Sequence, residues 1–240
     1  MPQDYHESGT LYMAAGPIGN LGDITLRTVE ILKNCTAVAC EDTRRTGQLL
    51  SHLGISKRLM SCRADNEDAS AKGIAALLGQ GQTIVYMSDA GTPGVSDPGV
   101  RLVRKVREEG FQVIPLPGPS AITTLLSVSP FGGRTVTFDG FLPPKSAARK
   151  KRLQILLDRG ENFLLYEAPH RIETVLTELS ELAPDRLILL GREMTKVFEE
   201  YPVGRAADIL KNLQESHKVK GEFALLVSGK SEEKNTEFDE

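Results

Sequence analysis

Short apolar runs alternate with amphipathic ones along the first half of the chain. The runs LYMAA (11–15), TAVAC (36–40), IVYMS (84–88) and FQVIPL (111–116) each end in a polar or Gly/Pro-rich turn. Short apolar stretches bounded in this way predict buried strands. KRLMSC (57–62) predicts a further strand with a less regular pattern. Between these runs, segments 23–34, 43–54, 67–81 and 98–110 carry apolar residues at helical spacing. In the first of them Leu26, Val29, Ile31 and Leu32 approximate one face. Strands that are nearly all apolar, joined by short crossovers through helices, predict a parallel sheet covered on both sides.

The proline-dense stretch PLPGPSA (115–121) predicts a domain boundary, and the period changes beyond it. RTVTFDGFL (134–142) alternates as a half-buried strand. Next come a helix over SAARKKRLQILLDRG, a buried strand NFLLYEA and a helix HRIETVLTELSELA. RLILLGRE, EEYPVGRA, the helix ADILKNLQES and a last strand EFALLVSG complete the series. The expectation is an α/β chain of two α/β domains. The N-terminal one, 1–117, has a parallel sheet and the C-terminal one, 118–230, a mixed sheet; a disordered acidic tail, 231–240, follows.

Composition changes this picture little. At 240 residues, 40% hydrophobic and 25% charged, the chain reads as globular. No apolar run approaches the roughly 20 residues of a membrane span. The N-terminus MPQDYHESGT lacks the basic and apolar regions of a secretory signal. Cys35, Cys40 and Cys62 form no C-x-x-C pair, which argues for packing thiols in a reducing cytoplasm and against zinc or a disulfide framework. The net charge of −3 disfavours a polyanionic partner only at first sight. The tail alone, with five acids and one lysine, carries −4, so the rest stands at +1. That balance excludes neither RNA nor a small-molecule substrate.

The unusual chemistry collects where strands end: GPIGNLGD (16–23), EDTRR (41–45), SDAGTPGVSDPG (88–99), PGPSA (117–121) and EAPHR (167–171). Open α/β sheets bind ligands outside the carboxyl ends of their strands, and five such loops imply a ligand larger than a lone phosphate. The familiar nucleotide loops are missing. There is no G-x-x-x-x-G-K-[ST], and Gly16, Gly19 and Gly22 do not make G-x-G-x-x-G. Ser120 in GPSA lacks the G-x-S-x-G of a hydrolase nucleophile, and no H-E-x-x-H or histidine cluster points to a metal. Backbone-rich loops of this kind suit a ligand with a carboxylate, hydroxyls and a planar base.

Eight motifs stand in order: PIGNLGDITLR (17–27), EDTR (41–44), SDAGTPGVSDPG (88–99), PGPSA (117–121), GFLPPK (140–145), YEAPHR (166–171), Arg192, Glu193, Thr195 and Lys196, and KGEFALLV (220–227). Together they resemble the small-subunit ribosomal RNA cytidine 2′-O-methyltransferases of the tetrapyrrole-methylase (class III) superfamily. The resemblance covers about 10–228. It implies two α/β domains, S-adenosylmethionine in the ligand cleft between them, and a homodimer. It implies cofactor contacts at Pro17, Asp89, Ala90, Gly91, Thr92, Ser120, Ala121, Tyr166 or Glu167, Met194 and Glu222. The chain departs from the pattern at Gly16, where many relatives have Thr. It departs again at CRADNE (62–67), where relatives carry histidine, so roles of those histidines do not transfer.

Methyl transfer from a sulfonium asks the protein mainly for positioning, and a ribose 2′-hydroxyl needs a group to take its proton. Glu41, Asp42 and Glu167 are the candidate catalytic carboxylates. Arg44 and the cluster Lys145, Arg149, Lys150 and Lys151 are the candidate RNA phosphate contacts. Each has a plainer reading. Asp42 or Thr43 would cap a helix and leave Arg44 on the surface, and Asp97 would cap the next helix. Asn20 and Asp23 divide between a cap and a site, and Asn66 and Glu67 between a capping pair and a substrate cleft. His170 divides between a cap and a site, and the basic cluster could be a solvated helix face. The aromatics are few and scattered, so no stacking platform is expected.

The expected activity is S-adenosylmethionine-dependent 2′-O-methylation of a decoding-centre cytidine in 16S ribosomal RNA. Its partner would be the small ribosomal subunit, in the cytoplasm. The alternatives are a class III methyltransferase acting on a tetrapyrrole, or an RNA-binding assembly factor without turnover.

Overall fold

The computed structural model describes residues 9–230, and the chain divides into two compact units after Ser120. The expected boundary lay just before this point. The expected disorder of 231–240 lies outside the described residues.

The first unit holds five strands: β1 (Thr10–Ala14), β2 (Ala37–Cys40), β3 (Arg58–Ser61), β4 (Ile84–Met87) and β5 (Gln112–Leu116). They form one sheet in the order β3-β2-β4-β1-β5, every pair parallel. The interior strands β2 and β4 are buried at all four positions, which is why their sequences are apolar without alternation. Pro115 lacks an N–H, and β5 tolerates it because it is an edge strand. Helices α1 (Leu26–Asn34) and α2 (Thr43–His52) cover one face, with Leu32 and Leu50 packed on Val38, Val85 and Met87. Helices α3 (Glu67–Leu78) and α4 (Val100–Glu108) cover the other, with Ile74, Leu78, Leu102 and Val106 packed on Ala37, Ala39 and Tyr86.

The second unit opens with α5 (Ala121–Ser127), a helix that the sequence pattern does not predict. Seven residues with Ile122, Thr123 and Thr124 in succession are too short and too β-branched to show a helical period. Strands β6 (Val136–Phe141), β7 (Asn162–Glu167), β8 (Leu187–Arg192), β9 (Val203–Arg205) and β10 (Phe223–Val227) follow, with α6 (Ser146–Asp158), α7 (Ile172–Leu182) and α8 (Ala206–Glu215) between them. The sheet order is β6-β7-β10-β8-β9. Only β6 and β7 are parallel, so the sheet is mixed, as expected. Phe163, Leu165, Phe223, Leu225 and Val227 face α6, α7 and α8. Leu164, Tyr166, Ala224 and Leu226 alternate to the face that carries α5.

The β6–β7 register breaks once. Phe138 pairs with Leu164 but Gly140 with Leu165, which leaves Asp139 as an extra residue in a β-bulge. Gly140 stands there at φ +70°, where a side chain would be strained.

Candidate active site

In the first unit the loops that leave β1, β2, β4 and β5 are tied to one another. Gly16 and Gly91 exchange two backbone hydrogen bonds, at 2.9 and 3.1 Å. Gly91 sits at φ +68°, and a Cβ there would lie 3.2 Å from Ile18 Cγ2, so the position requires glycine. The Thr92 hydroxyl donates to the Pro119 carbonyl at 3.3 Å. Asp89 Oδ1 accepts from the Asp42 backbone N–H at 2.9 Å, while its Oδ2 stands 3.4 Å from Arg45. A cavity of about 220 Å³ lies beside this knot, lined in part by Pro17, Arg45, Thr46, Ser88 and Asp89. Ala90 is exposed, and Ser120 is half-buried at the end of the unit.

Charge in this cluster is not balanced. Burial, with Asp89 and Asp97 nearby, raises the pKa of Glu41. Burial also raises Asp97, against a hydrogen bond from Ser88. Asp97 is therefore not the cap expected: α4 begins after Gly99, which has no capping side chain. The cap comes from α3, where the buried Glu67 carboxylate accepts the N–H groups of Gly99 and Leu102, both at 3.0 Å. Asn66 makes no cap hydrogen bond to α3 and instead accepts the Arg63 N–H. Asn20 caps only the short 3-10 turn Leu21–Asp23, and Thr25 rather than Asp23 caps α1.

Asp42 takes the plainer of its two readings. It is the N-cap of α2, accepting the Arg44 N–H at 2.8 Å, and its carboxylate also binds the Arg44 side chain at 3.1 and 2.7 Å. The Arg44 partnership holds its pKa far below the usual range, which makes it a poor proton acceptor. Arg44 itself projects to the surface.

Three of the site residues expected in the second unit are buried. Glu167, at the end of β7, has a side chain only 1% exposed. Its Oε1 accepts the Ala168 N–H at 2.8 Å and pairs with Arg171 at 3.1 Å. Burial raises its pKa, and its Oε2 is buried with no hydrogen-bond partner among the described residues. Arg149 is buried too. It grips Glu178 of α7 through two nitrogens, at 2.7 and 2.8 Å, and donates to the Pro144 carbonyl at 2.9 Å, so its guanidinium is engaged inside the unit. Met194 packs with Leu125, Leu164 and Leu189, so its side chain belongs to the apolar face.

Lys145, Lys150 and Lys151 remain exposed; Lys150 reaches Glu181 at 2.8 Å. Ala121 opens α5 and is half-buried, and Glu222 is exposed, its N–H held by Glu193 at 2.9 Å. Tyr166 is half-buried at the end of β7 between two phenylalanine edges. Its ring lies 4.9 Å from that of Phe138 and 5.8 Å from that of Phe141, both T-shaped. The sequence reading missed this grouping, because the three residues look unrelated until the bulge is known.

A concavity of about 1610 Å³ opens in the second unit where β6, β7 and β8 begin, among Arg134, Asp158, Glu161, Asp185 and Arg186. None of the residues singled out from the sequence lines it. Cys35, Cys40 and Cys62 are buried and unpaired, and burial pushes the Cys62 thiol up to about 12. Among the described residues, no group of three His, Cys, Asp or Glu side chains is placed to hold a metal, and no helix is long and apolar enough to cross a membrane.

Known proteins match this chain over most of its length. The ribosomal RNA small subunit methyltransferase I of Borrelia garinii subsp. bavariensis is 45% identical over 222 residues, 92% of this chain and 99% of that one. The protein of the same name from Neisseria meningitidis serogroup B is 42% identical over 233 residues, 97% of this chain and 80% of that one. Among solved structures, the cobalamin biosynthetic enzyme cobalt precorrin-4 methyltransferase aligns with a TM-score of 0.68 at 13% identity, over 92% of this chain and 94% of that one. Uroporphyrin-III-C-methyltransferase from Thermus thermophilus aligns at 0.63 and 18%, with the same coverage. At such identities the likeness is one of fold. Residues 10–210 match the family described as Tetrapyrrole (Corrin/Porphyrin) Methylases, and the chain belongs to that family.

Proposed function

We infer that the chain transfers a methyl group from S-adenosylmethionine to the 2′-hydroxyl of a decoding-centre cytidine in 16S ribosomal RNA, on the small ribosomal subunit in the cytoplasm. The observation that carries this reading is the 45% identity to a ribosomal RNA small subunit methyltransferase over 99% of that protein's length. The precorrin and uroporphyrin enzymes share the fold at 13–18% identity, which carries no substrate with it.

The residues present fit this cofactor. Glu41, Asp89 and Asp97 outnumber the one arginine paired among them, Arg45, beside the knotted loops, which favours a ligand carrying a sulfonium cation. When bound, S-adenosylmethionine supplies a methyl group already activated for displacement. Pro17, Asp89, Ala90, Gly91, Thr92 and Ser120 from the first unit, with Ala121, Tyr166, the Met194 backbone and Glu222 from the second, are the proposed contacts. Glu41 is the proposed proton acceptor, since a carboxylate with a raised pKa takes a proton more readily near neutrality. Asp42 positions Asp89 through its N–H, and Arg44, Lys145, Lys150 and Lys151 meet phosphates of the RNA. A homodimer belongs to the same reading, and sedimentation would test it.

The deciding experiment is labelled-methyl transfer to small subunits from cells that lack the enzyme, followed by digestion to nucleosides. Label in 2′-O-methylcytidine at one position is the expected result. Intact cofactor binding with no label in RNA would sink the proposal.

A further inference from the structure

The bulge at Asp139 determines where Phe141 points. In an unbroken strand Phe138 and Phe141 would face opposite sides of the sheet. One extra residue between them brings both to the face of Tyr166, and each meets that ring edge-on. The arrangement is fastened from three sides. Arg152 of α6 binds the bulged Asp139 carboxylate through Nε at 3.0 and 2.9 Å and also through its Nη2. Arg171 Nη2 donates to the Leu142 carbonyl at 2.7 Å, and Arg149 to that of Pro144. Both arginines are in turn held by carboxylates, Glu167 and Glu178, that are almost completely buried.

This framework holds one apolar side chain in the open. Phe138 is covered, while Phe141 is 56% exposed at the carboxyl end of β6, on the same face of the sheet as α5. Lys145 follows directly after the proline pair, exposed and in no ion pair among the described residues. An exposed aromatic face followed four residues on by an exposed lysine matches the recognition chemistry of single-stranded nucleic acid, a base on the ring and a phosphate on the ammonium.

We propose that Phe141, braced against Tyr166, is a stacking ledge for a nucleobase of the RNA substrate, with Lys145 taking an adjacent phosphate. The proposal rests on the reading of the chain as an RNA methyltransferase and adds to it a residue that positions the substrate. Arg149, Arg152 and Arg171 then serve RNA indirectly, as positioning residues for the ledge.

The test compares Phe141→Ala, Phe141→Leu and Phe141→Trp in the full-length protein, reading KM for small ribosomal subunits and the calorimetric Kd for S-adenosylmethionine. Loss of one base stack is expected to raise KM roughly five-fold or more in the alanine and leucine variants. The tryptophan variant is expected to stay near the wild-type value, and the cofactor Kd to stay unchanged in all three. A leucine variant that behaves as wild type overturns the ledge, because plain apolar contact would then suffice. A weakened cofactor Kd would assign the ring to the cofactor, and an altered sedimenting mass would assign it to a second copy of the chain; either overturns the proposal. Wild-type turnover with an unmoved KM for the alanine variant rejects the ledge alone. Wild-type protein that methylates no subunit rejects the function as well.

Discussion

Glu41 follows a fully buried strand and shares its surroundings with Asp89 and Asp97. Its pKa is raised above the unfolded value, so its ionisation penalises the folded state. The penalty is absent below the ordinary carboxylate range and complete above the raised value. Glu41→Gln is therefore expected to raise the melting temperature at neutral pH, with the gain vanishing as the pH falls through the carboxylate range. Saturating S-adenosylmethionine should narrow the gain at neutral pH, since a sulfonium cation relieves the same repulsion. Calorimetry with and without cofactor across that range checks both. An unchanged melting temperature at every pH would contradict the charge imbalance. The sequence pointed to Glu41 through its place after a strand, but it could not separate Glu41 from Asp42. The two differ in what surrounds them: one faces distant carboxylates, the other grips the arginine two residues on.

At the scale of elements, α4 illustrates how a helix can depend on a neighbour. Its own sequence begins at Gly99, with φ +126° and no side chain to accept a hydrogen bond. Glu67 reaches across from α3 to accept two of its free N–H groups, and Arg101 of α4 returns to the same carboxylate at 3.2 Å. Glu67→Ala leaves those N–H groups buried without partners and is expected to cost about 2–3 kcal/mol of stability, read by denaturant unfolding. Glu67→Gln, which keeps one acceptor, should cost less. The strands were legible because burial on both faces makes β2, β4, β7 and β10 short continuous apolar runs, and the long helices because burial on one face imposes a helical period. α5 was not, since seven residues complete too few turns to show one. The burial of Arg149 was hidden for a related reason: a run of cations looks solvated until Glu178, 29 residues away, folds against it. The bulge in β6 was equally hidden, because it changes facing without changing composition.

For the molecule as a whole, charge is divided unevenly along the chain. The last ten residues carry −4 against +1 for the remainder. A polyanionic substrate should feel that difference at long range. Removing 231–240 is expected to lower KM for small subunits at low ionic strength, and the advantage should fade as salt shortens the screening length. Steady-state kinetics over a salt series would show it. Equal KM values at low salt would mean that the tail's charge does not reach the substrate. Both faces of the first sheet, and one face of the second, found their covering helices where the apolar periodicity placed them.

The paired glycines at the ends of β1 and β4 have a consequence for which metabolites the loops admit. Loops that hold ATP do so with unpaired backbone N–H groups aimed at phosphate oxygens. Gly16 and Gly91 have spent theirs on each other, at 2.9 and 3.1 Å, and the carboxylates around them repel polyphosphate. A phosphate placed at this knot would find neither glycine N–H free to bind it.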